Sequence, residues 1–213
     1  MKRILGLITL LVGLLLLFLL QKDWRMGSTP VPPLGNVLNP FSGVWQNAES
    51  LEDYENFNLK SDSVEQPVSI VFDERMVPHI YASNLKDAMF AQGYVEAYHR
   101  LFQMDIATRA PDGRLSEVFG EVALEYDKKQ RRLGLNWAAD NAVKGWKKHP
   151  EELSLVESYV NGINHRINQL DAAELPIEYK LLNFKPESWN IRKCALFLKA
   201  MSQTLAGYEE DIE

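Results

Sequence analysis

The stretch Gly93–Asp105, GYVEAYHRLFQMD, with its continuation to Arg109, gathers the residue types most capable of chemistry in this chain. Arg100, Gln103, Asp105 and Arg109 fall on or near neighbouring helical turns, where guanidinium, amide and carboxylate groups come within reach of one another. Such a set binds and positions. Once buried, its polar groups must be hydrogen-bonded, so it would lock several elements together. It contains no nucleophile beside a base. The four histidines, His79, His99, His149 and His165, are scattered and show no metal-ligand spacing, and no glycine-rich loop could cradle a phosphate. The single cysteine, Cys194, sits in the apolar run CALFLKAM and reads as a small buried hydrophobe, which excludes an internal disulfide framework. A net charge of −6 argues against nonspecific nucleic-acid binding.

The elements that would position this set can be read from periodicity. PVSIVFDERMVPHIYAS holds two β-rich runs, 68–72 and 79–82, around a polar turn, with Pro78 suited to the turn or to an edge. A helix capped by Asn84 or Asp87 follows, with an apolar stripe from Met89 through Phe90, Tyr94, Ala97 and Leu101 to Met104. Pro111 and Gly113 are expected to break it, and a short helix then ends at Gly120. Asp127 to Trp146 reads as one helix with the basic stretch KKQRR exposed. Glu151 and Glu152 favour a new helix start after His149-Pro150. Ile191 to about Leu205 reads as the last helix.

The N-terminus carries a different signal. Lys2 and Arg3 precede an uncharged run from Ile4 to Leu20, roughly 26 Å long as a helix, close to the thickness of a bilayer's hydrocarbon. The flank Gln21-Lys22-Asp23-Trp24-Arg25 fits an interfacial edge. An uncleaved anchor is therefore expected over residues 1–25, with a cleaved signal peptide as the alternative. Residues 26–65 form a linker and lead-in: Gly27 to Asn47 is rich in Pro, Gly, Ser and Asn and reads as extended, and AESLEDYENFNLK as a short helix or loop. The domain is expected to occupy 66–213. Its abrupt acidic end, GYEEDIE, reads as solvated.

These motifs, in this order, resemble the penicillin acylase family of N-terminal-nucleophile hydrolases. The resemblance rests on Asp-x-x-x-x-Pro-His-Ile at Asp73–Ile80 and on Gly-Tyr-Val-x-Ala-x-x-Arg-Leu-Phe-Gln-Met-Asp at Gly93–Asp105. It continues through Arg109, Gly-x-Leu-x-Glu-x-x-Gly at Gly113–Gly120, Arg131-Arg132-Leu133-Gly134, Tyr159-x-x-Gly162-x-Asn164 and FKPESW ending at Trp189. Two positions depart from the family pattern. Met76 stands where glycine is usual, so this turn is expected not to need a positive φ or to adopt another type. His99 replaces an aspartate, which removes a possible carboxylate partner for Arg100.

The resemblance implies an α+β protein: the mostly helical α-chain portion of an αββα sandwich, contributing one or two edge strands. It implies a precursor that cuts itself into α and β chains. The new β N-terminus would be the nucleophile, and its α-amino group, with a reference pKa of about 7.7–8.0, the base. No catalytic residue is then expected up to Glu213; the partner is the β chain, and the substrate a small N-acylated amine such as a β-lactam side chain or an N-acyl homoserine lactone. Ser202, Leu205 and Tyr208 fall where the family lines its acyl pocket, with core packing as the competing role of Leu205 and of Tyr208. Asp211, with Glu210 and Glu213 as alternatives, falls near a family Ca²⁺ ligand whose companions lie on the β chain; no organic cofactor is implied. His79, Arg100, Gln103, Asp105 and Arg109 would form a structural network. The expected location is the inner membrane, with the domain facing the periplasm or exterior, or the periplasm itself if the N-terminal segment is cleaved. The competing expectation is a non-catalytic anchored scaffold or an inactive fragment.

Overall fold

The computed structural model describes residues 2–22, 24–26, 29–48, 57–59 and 63–206. Helix α1 spans Lys2–Gln21, and its Ile4–Gln21 stretch is long and apolar enough to cross a membrane, with none of it buried against the protein. A small hairpin follows, β1 (Trp24–Met26) against β2 (Thr29–Val31), then the short helix α2 (Leu34–Val37) and a 3₁₀ turn at Val44–Asn47. None of these elements is long, as the Pro- and Gly-rich composition requires. The segment is nevertheless not the extended linker expected from that composition. The Lys180 ammonium donates to the Gly43 carbonyl (3.0 Å), the Asn47 side-chain oxygen (2.7 Å) and the Ala173 carbonyl (2.8 Å), and Asn47 donates to the Leu175 carbonyl (2.9 Å). One lysine thereby ties the lead-in to the domain.

A three-stranded antiparallel sheet follows, β3 (Phe57–Leu59), β4 (Val68–Phe72) and β5 (Pro78–Tyr81), in the order β3-β4-β5. The outer strand β3 comes from the segment expected to be a short helix or loop, so the sheet begins ahead of Gln66. Alternation along β4 buries Val68 and Ile70 against Phe90, Ala91, Tyr94 and Val95. Pro78 opens the edge strand β5, where its missing N–H costs no ladder bond. In the connecting turn the Asp73 carboxylate accepts from Arg75 N (2.8 Å) and Val77 N (2.9 Å), and Met76 lies at φ 63°. The expectation that Met76 would escape the left-handed region fails. The Asp73 bonds fix the turn's path, and the methionine must follow it.

Helix α3 runs from Leu85 to Asp112. Asn84 caps it by accepting from Asp87 N (2.8 Å), which resolves the choice between the two residues. Asp87 instead accepts from Glu65 N (2.9 Å) and Gln66 N (3.0 Å), holding the entry to β4. Pro111 does not break the helix; it sits in the last turn, and Gly113 (φ 65°) ends it. The break lies earlier, at Arg100 (φ −136°, ψ 17°), where neither proline nor glycine stands.

The rest is helical: α4 (Ser116–Phe119), α5 (Leu124–Leu133), α6 (Leu135–Trp146), α7 (Pro150–Gln169), α8 (Ile177–Leu182) and α9 (Ile191–Ala206). The single helix expected over 127–146 is two, divided at Gly134. α3 packs most extensively on α7, and α6 packs on α9. At the α3–α7 crossing two glycines face each other's backbone. A Cβ on Gly93 would lie 2.1 Å from the Tyr159 carbonyl oxygen, and one on Gly162 would lie 1.9 Å from that of Phe90. Only glycine permits this approach. Around it Ala97, Leu101, Val160, Ile163, Tyr179 and Trp189 form the central core. Asn164 grips the Trp189 backbone from both ends of its amide, accepting at 2.7 Å and donating at 3.0 Å.

Candidate functional site

Beyond the break at Arg100, α3 carries a buried lattice of charge. Asp105 is 1% exposed and Arg109 4%. Arg109 donates from Nε to Asp105 Oδ1 (3.0 Å), and its Nη1 and Nη2 meet Glu117 (2.9 Å) and Glu187 (3.0 Å). Arg114 bridges the same two glutamates, at 2.7 Å to Glu117 and 2.6 Å to Glu187. Lys193, 6% exposed, places its ammonium 3.6 Å from Asp105 and 3.6 Å from Glu187, with the Trp189 ring 4.9 Å away. Arg192 extends the lattice to Asp112 (3.0 Å) and Asp140 (2.7 Å).

Burying charge is tolerable when the ions are paired, and hydrogen bonds lower the cost further; the Lys193 ammonium is paired by charge alone, with no hydrogen bond. Here four cations, Arg109, Arg114, Arg192 and Lys193, face Asp105, Asp112, Glu117 and Glu187, with Asp140 at the rim. Arg109 meets three carboxylates at once through the separate nitrogens of its planar fork, a spread that a lysine's compact ammonium would not reproduce at this site. The Arg114 hydrogen bonds, opposed by burial and reinforced by Arg109 and Lys193, hold the Glu187 carboxyl down to about 2. Glu117 is lowered too, chiefly by Arg114. The lattice joins the end of α3, α4, the FKPESW segment and α9. Asp127 adds a similar clamp: burial pushes its carboxyl up, but donations from Ser116 N (2.7 Å) and Leu115 N (2.9 Å) outweigh it, and its pKa falls.

The five residues expected in one network divide into three groups. Asp105 and Arg109, about 40° apart around the helix, share the buried side. Arg100 donates to Gln103 (2.9 Å) at the surface. Arg100 stands about 140° around from Asp105 on a regular helix, and the break lies between them. His79 is exposed on β5, 3.5 Å from Asp73. His99 contacts the rings of Phe72 and Tyr98.

Between α3, α7 and α9 lies an apolar pocket of about 160 Å³, lined by Glu96, Met104, Tyr159, Trp189, Cys194 and Phe197 among others. Its polar element is a 2.5 Å hydrogen bond from the Tyr159 hydroxyl to Glu96. Burial, then this bond, pushes the Tyr159 hydroxyl well above its usual range. Burial likewise raises the Cys194 thiol, which accepts from Trp189 Nε1 (3.4 Å), consistent with an inert packed cysteine. Of the residues expected near an acyl pocket, Ser202 lies on the exposed part of α9 and donates to the Leu198 carbonyl (2.9 Å). Leu205 is 73% exposed, so it is not a core residue of this chain. Phe197, Leu198 and Met201 on the same helix are also exposed. Tyr208, Glu210, Asp211 and Glu213 lie outside the described residues. Among the described residues no cluster of His, Cys, Asp or Glu is arranged to hold a metal ion.

The penicillin amidase family profile matches residues 67–213. The chain belongs to the penicillin amidase family. It is 29% identical to penicillin G acylase of Escherichia coli over 77% of this chain and 20% of that protein. It is 36% identical to the penicillin acylase 2 proenzyme of a Pseudomonas species over 62% of this chain and 16% of that protein. It is 33% identical to the acyl-homoserine lactone acylase QuiP of Pseudomonas fluorescens over 82% of this chain and 18% of that protein. The chain thus spans about a fifth of the length of the curated relatives it matches. A solved structure of thermostable penicillin G acylase from Alcaligenes faecalis superposes with a TM-score of 0.59 and 25% identity, over 68% of this chain and 77% of that one.

The family motifs therefore mark packing and charge burial. Gly93 and Gly162 are the crossing glycines, Asn164 and Trp189 the clamp, and Asp105 and Arg109 the lattice centre. Sequence reasoning missed Arg114, Glu187, Arg192 and Lys193 as lattice members. Glu117 and Glu187 stand inside recognised motifs, a signal that was present. Lys193 carries no such signal, since its neighbours are set only by how α9 docks.

Proposed function

We propose that the chain is the α-chain-like part of an amidohydrolase of penicillin-acylase type that cleaves the amide of N-acylated substrates. The observation that carries this reading is the match over 67–213 combined with where the motif residues lie: they build a scaffold, with Asp105 and Arg109 at the centre of a charge lattice. The nucleophile is assigned to a β chain, as an N-terminal residue whose own amine accepts the proton. The relative named a proenzyme fits a precursor that is processed. Relatives named penicillin acylases and acyl-homoserine lactone acylases fit a substrate defined by its N-acyl group.

In this reading the full enzyme is an αββα sandwich. The exposed apolar face of α9, Phe197 to Leu205, lies toward the β chain, and Ser202 and Tyr208 border the acyl site. Asp211, with Glu210 and Glu213, offers carboxylate oxygen to a Ca²⁺ that needs six to eight ligands, so most of them come from the β chain. Helix α1 anchors the protein with its domain on the periplasmic or outer side.

The test is hydrolysis of a panel of N-acyl amines of increasing chain length by the full gene product and by pure residues 1–213. Turnover by the full product alone is expected. Turnover by 1–213 would place the nucleophile within this chain and overturn the assignment, as would a full product inert toward every acyl amine.

A further inference from the structure

Helix α1 does not end in isolation. Trp24 folds back to donate to the Leu19 carbonyl (3.1 Å), with the Lys22 ammonium 5.4 Å from its ring. Helix α2 packs on the same end, with Gly35 against the Leu20 carbonyl. Val37 faces inward, and Leu34 and Leu38, four residues apart and so on one side, are exposed. Phe41 is 83% exposed and Trp45 63%. Helix α8 touches both α2 and the 3₁₀ turn, and adds Ile177 and Leu181, again four apart and exposed. Exposed aromatic and aliphatic residues gathered at adjoining elements mark an interaction surface.

We propose that these residues form a membrane-interface collar: Leu34, Leu38, Phe41 and Trp45, flanked by Ile177 and Leu181, sit in the headgroup region where α1 leaves the bilayer. The proposal rests on the anchor reading of α1 given above. Continuity selects the occupant, since the patch begins where an apolar span of bilayer length stops. Its chemistry fits that boundary, where tryptophan and other amphipathic or apolar side chains settle about 5–10 Å deep. The Lys180 clamp gives the collar its consequence. Because Lys180 binds Gly43 and Asn47 on one side and Ala173 on the other, seating the collar fixes the domain against the bilayer instead of leaving it on a tether.

The full gene product is reconstituted with α1 intact into phosphatidylcholine vesicles carrying bromine near either the headgroup end or the methyl end of the acyl chains. Tryptophan quenching is compared for wild type, Trp24→Phe, Trp45→Phe and Trp137→Phe. The collar predicts that Trp45→Phe loses a share of the shallow-bromine quenching and little of the deep. Trp137→Phe, which removes an exposed tryptophan on α6, should lose none. Quenching that falls with Trp24→Phe but not with Trp45→Phe overturns the collar and leaves the anchor standing. A chain that shows no quenching at all overturns both.

Discussion

The two halves of α3 solve the same packing problem by opposite means. Before Arg100 the helix meets α7 through glycine, and the contact is backbone against backbone. After Arg100 it meets α4, the FKPESW segment and α9 through ions, and the contact is side chain to side chain across a buried lattice. The first half is close because nothing stands between the helices. The second is held because several long side chains do, Arg109 and Arg114 each bridging more than one carboxylate. Both halves lie under one family motif, so a single run of recognisable residues encodes two physically distinct constraints.

Removing the lattice centre is expected to have the largest effect. Arg109→Ala would leave buried Asp105 with only its longer contacts to Lys193 and Tyr179 and Glu187 short of a partner, costing about 3–5 kcal/mol, as breaking a buried ion pair does. Denaturant unfolding of the full gene product would report it, and a loss under 1 kcal/mol would mean that the lattice is ornamental. On the glycine side, Gly162→Ala forces a methyl group into the Phe90 carbonyl, which no rotamer can relieve. A cost of about 1–3 kcal/mol or more is expected, read by the same unfolding curve. Gly145, with nothing near its absent Cβ, supplies the matched control.

Acid should separate the halves without mutation. Glu187 is held at about 2 when folded, against an ordinary value of 4.5. A depressed folded pKa contributes stability that is present above the unfolded value and lost as pH falls toward the folded one. Stability should therefore decline as pH drops from about 4.5 to about 2. Glu187→Gln should flatten that part of the profile, whereas Gly162→Ala should shift the whole curve and leave its slope unchanged. Smallest is Met76→Gly, which relieves a left-handed methionine and should stabilise by up to about 1 kcal/mol, a rise in Tm of a few degrees at most.

Elements set by local periodicity were legible. The helix start at Pro150, the last helix from Ile191 and the two strands on either side of the 73–77 turn all emerge from patterns a few residues long. What was not legible depends on partners distant in sequence. Met76 takes a positive φ because the Asp73 carboxylate binds two amides of the turn, a tertiary-like constraint that propensity cannot report. The strand Phe57–Leu59 exists because β4 offers it an edge. Lys180 turns an apparent linker into a docked segment from more than 130 residues away. The grouping of Arg100 with Asp105 failed on geometry that counting could have caught, since five positions carry a side chain well around the helix.

The claim that the motif residues act by holding the fold is tested most directly by Arg109→Lys in the full gene product, with thermal unfolding and turnover per folded molecule measured on the same sample. A lysine keeps the charge and loses the three-way fork, so Tm should fall while turnover per folded molecule stays at the wild-type value. An unchanged Tm with turnover lost would contradict the account and place Arg109 in the chemistry itself.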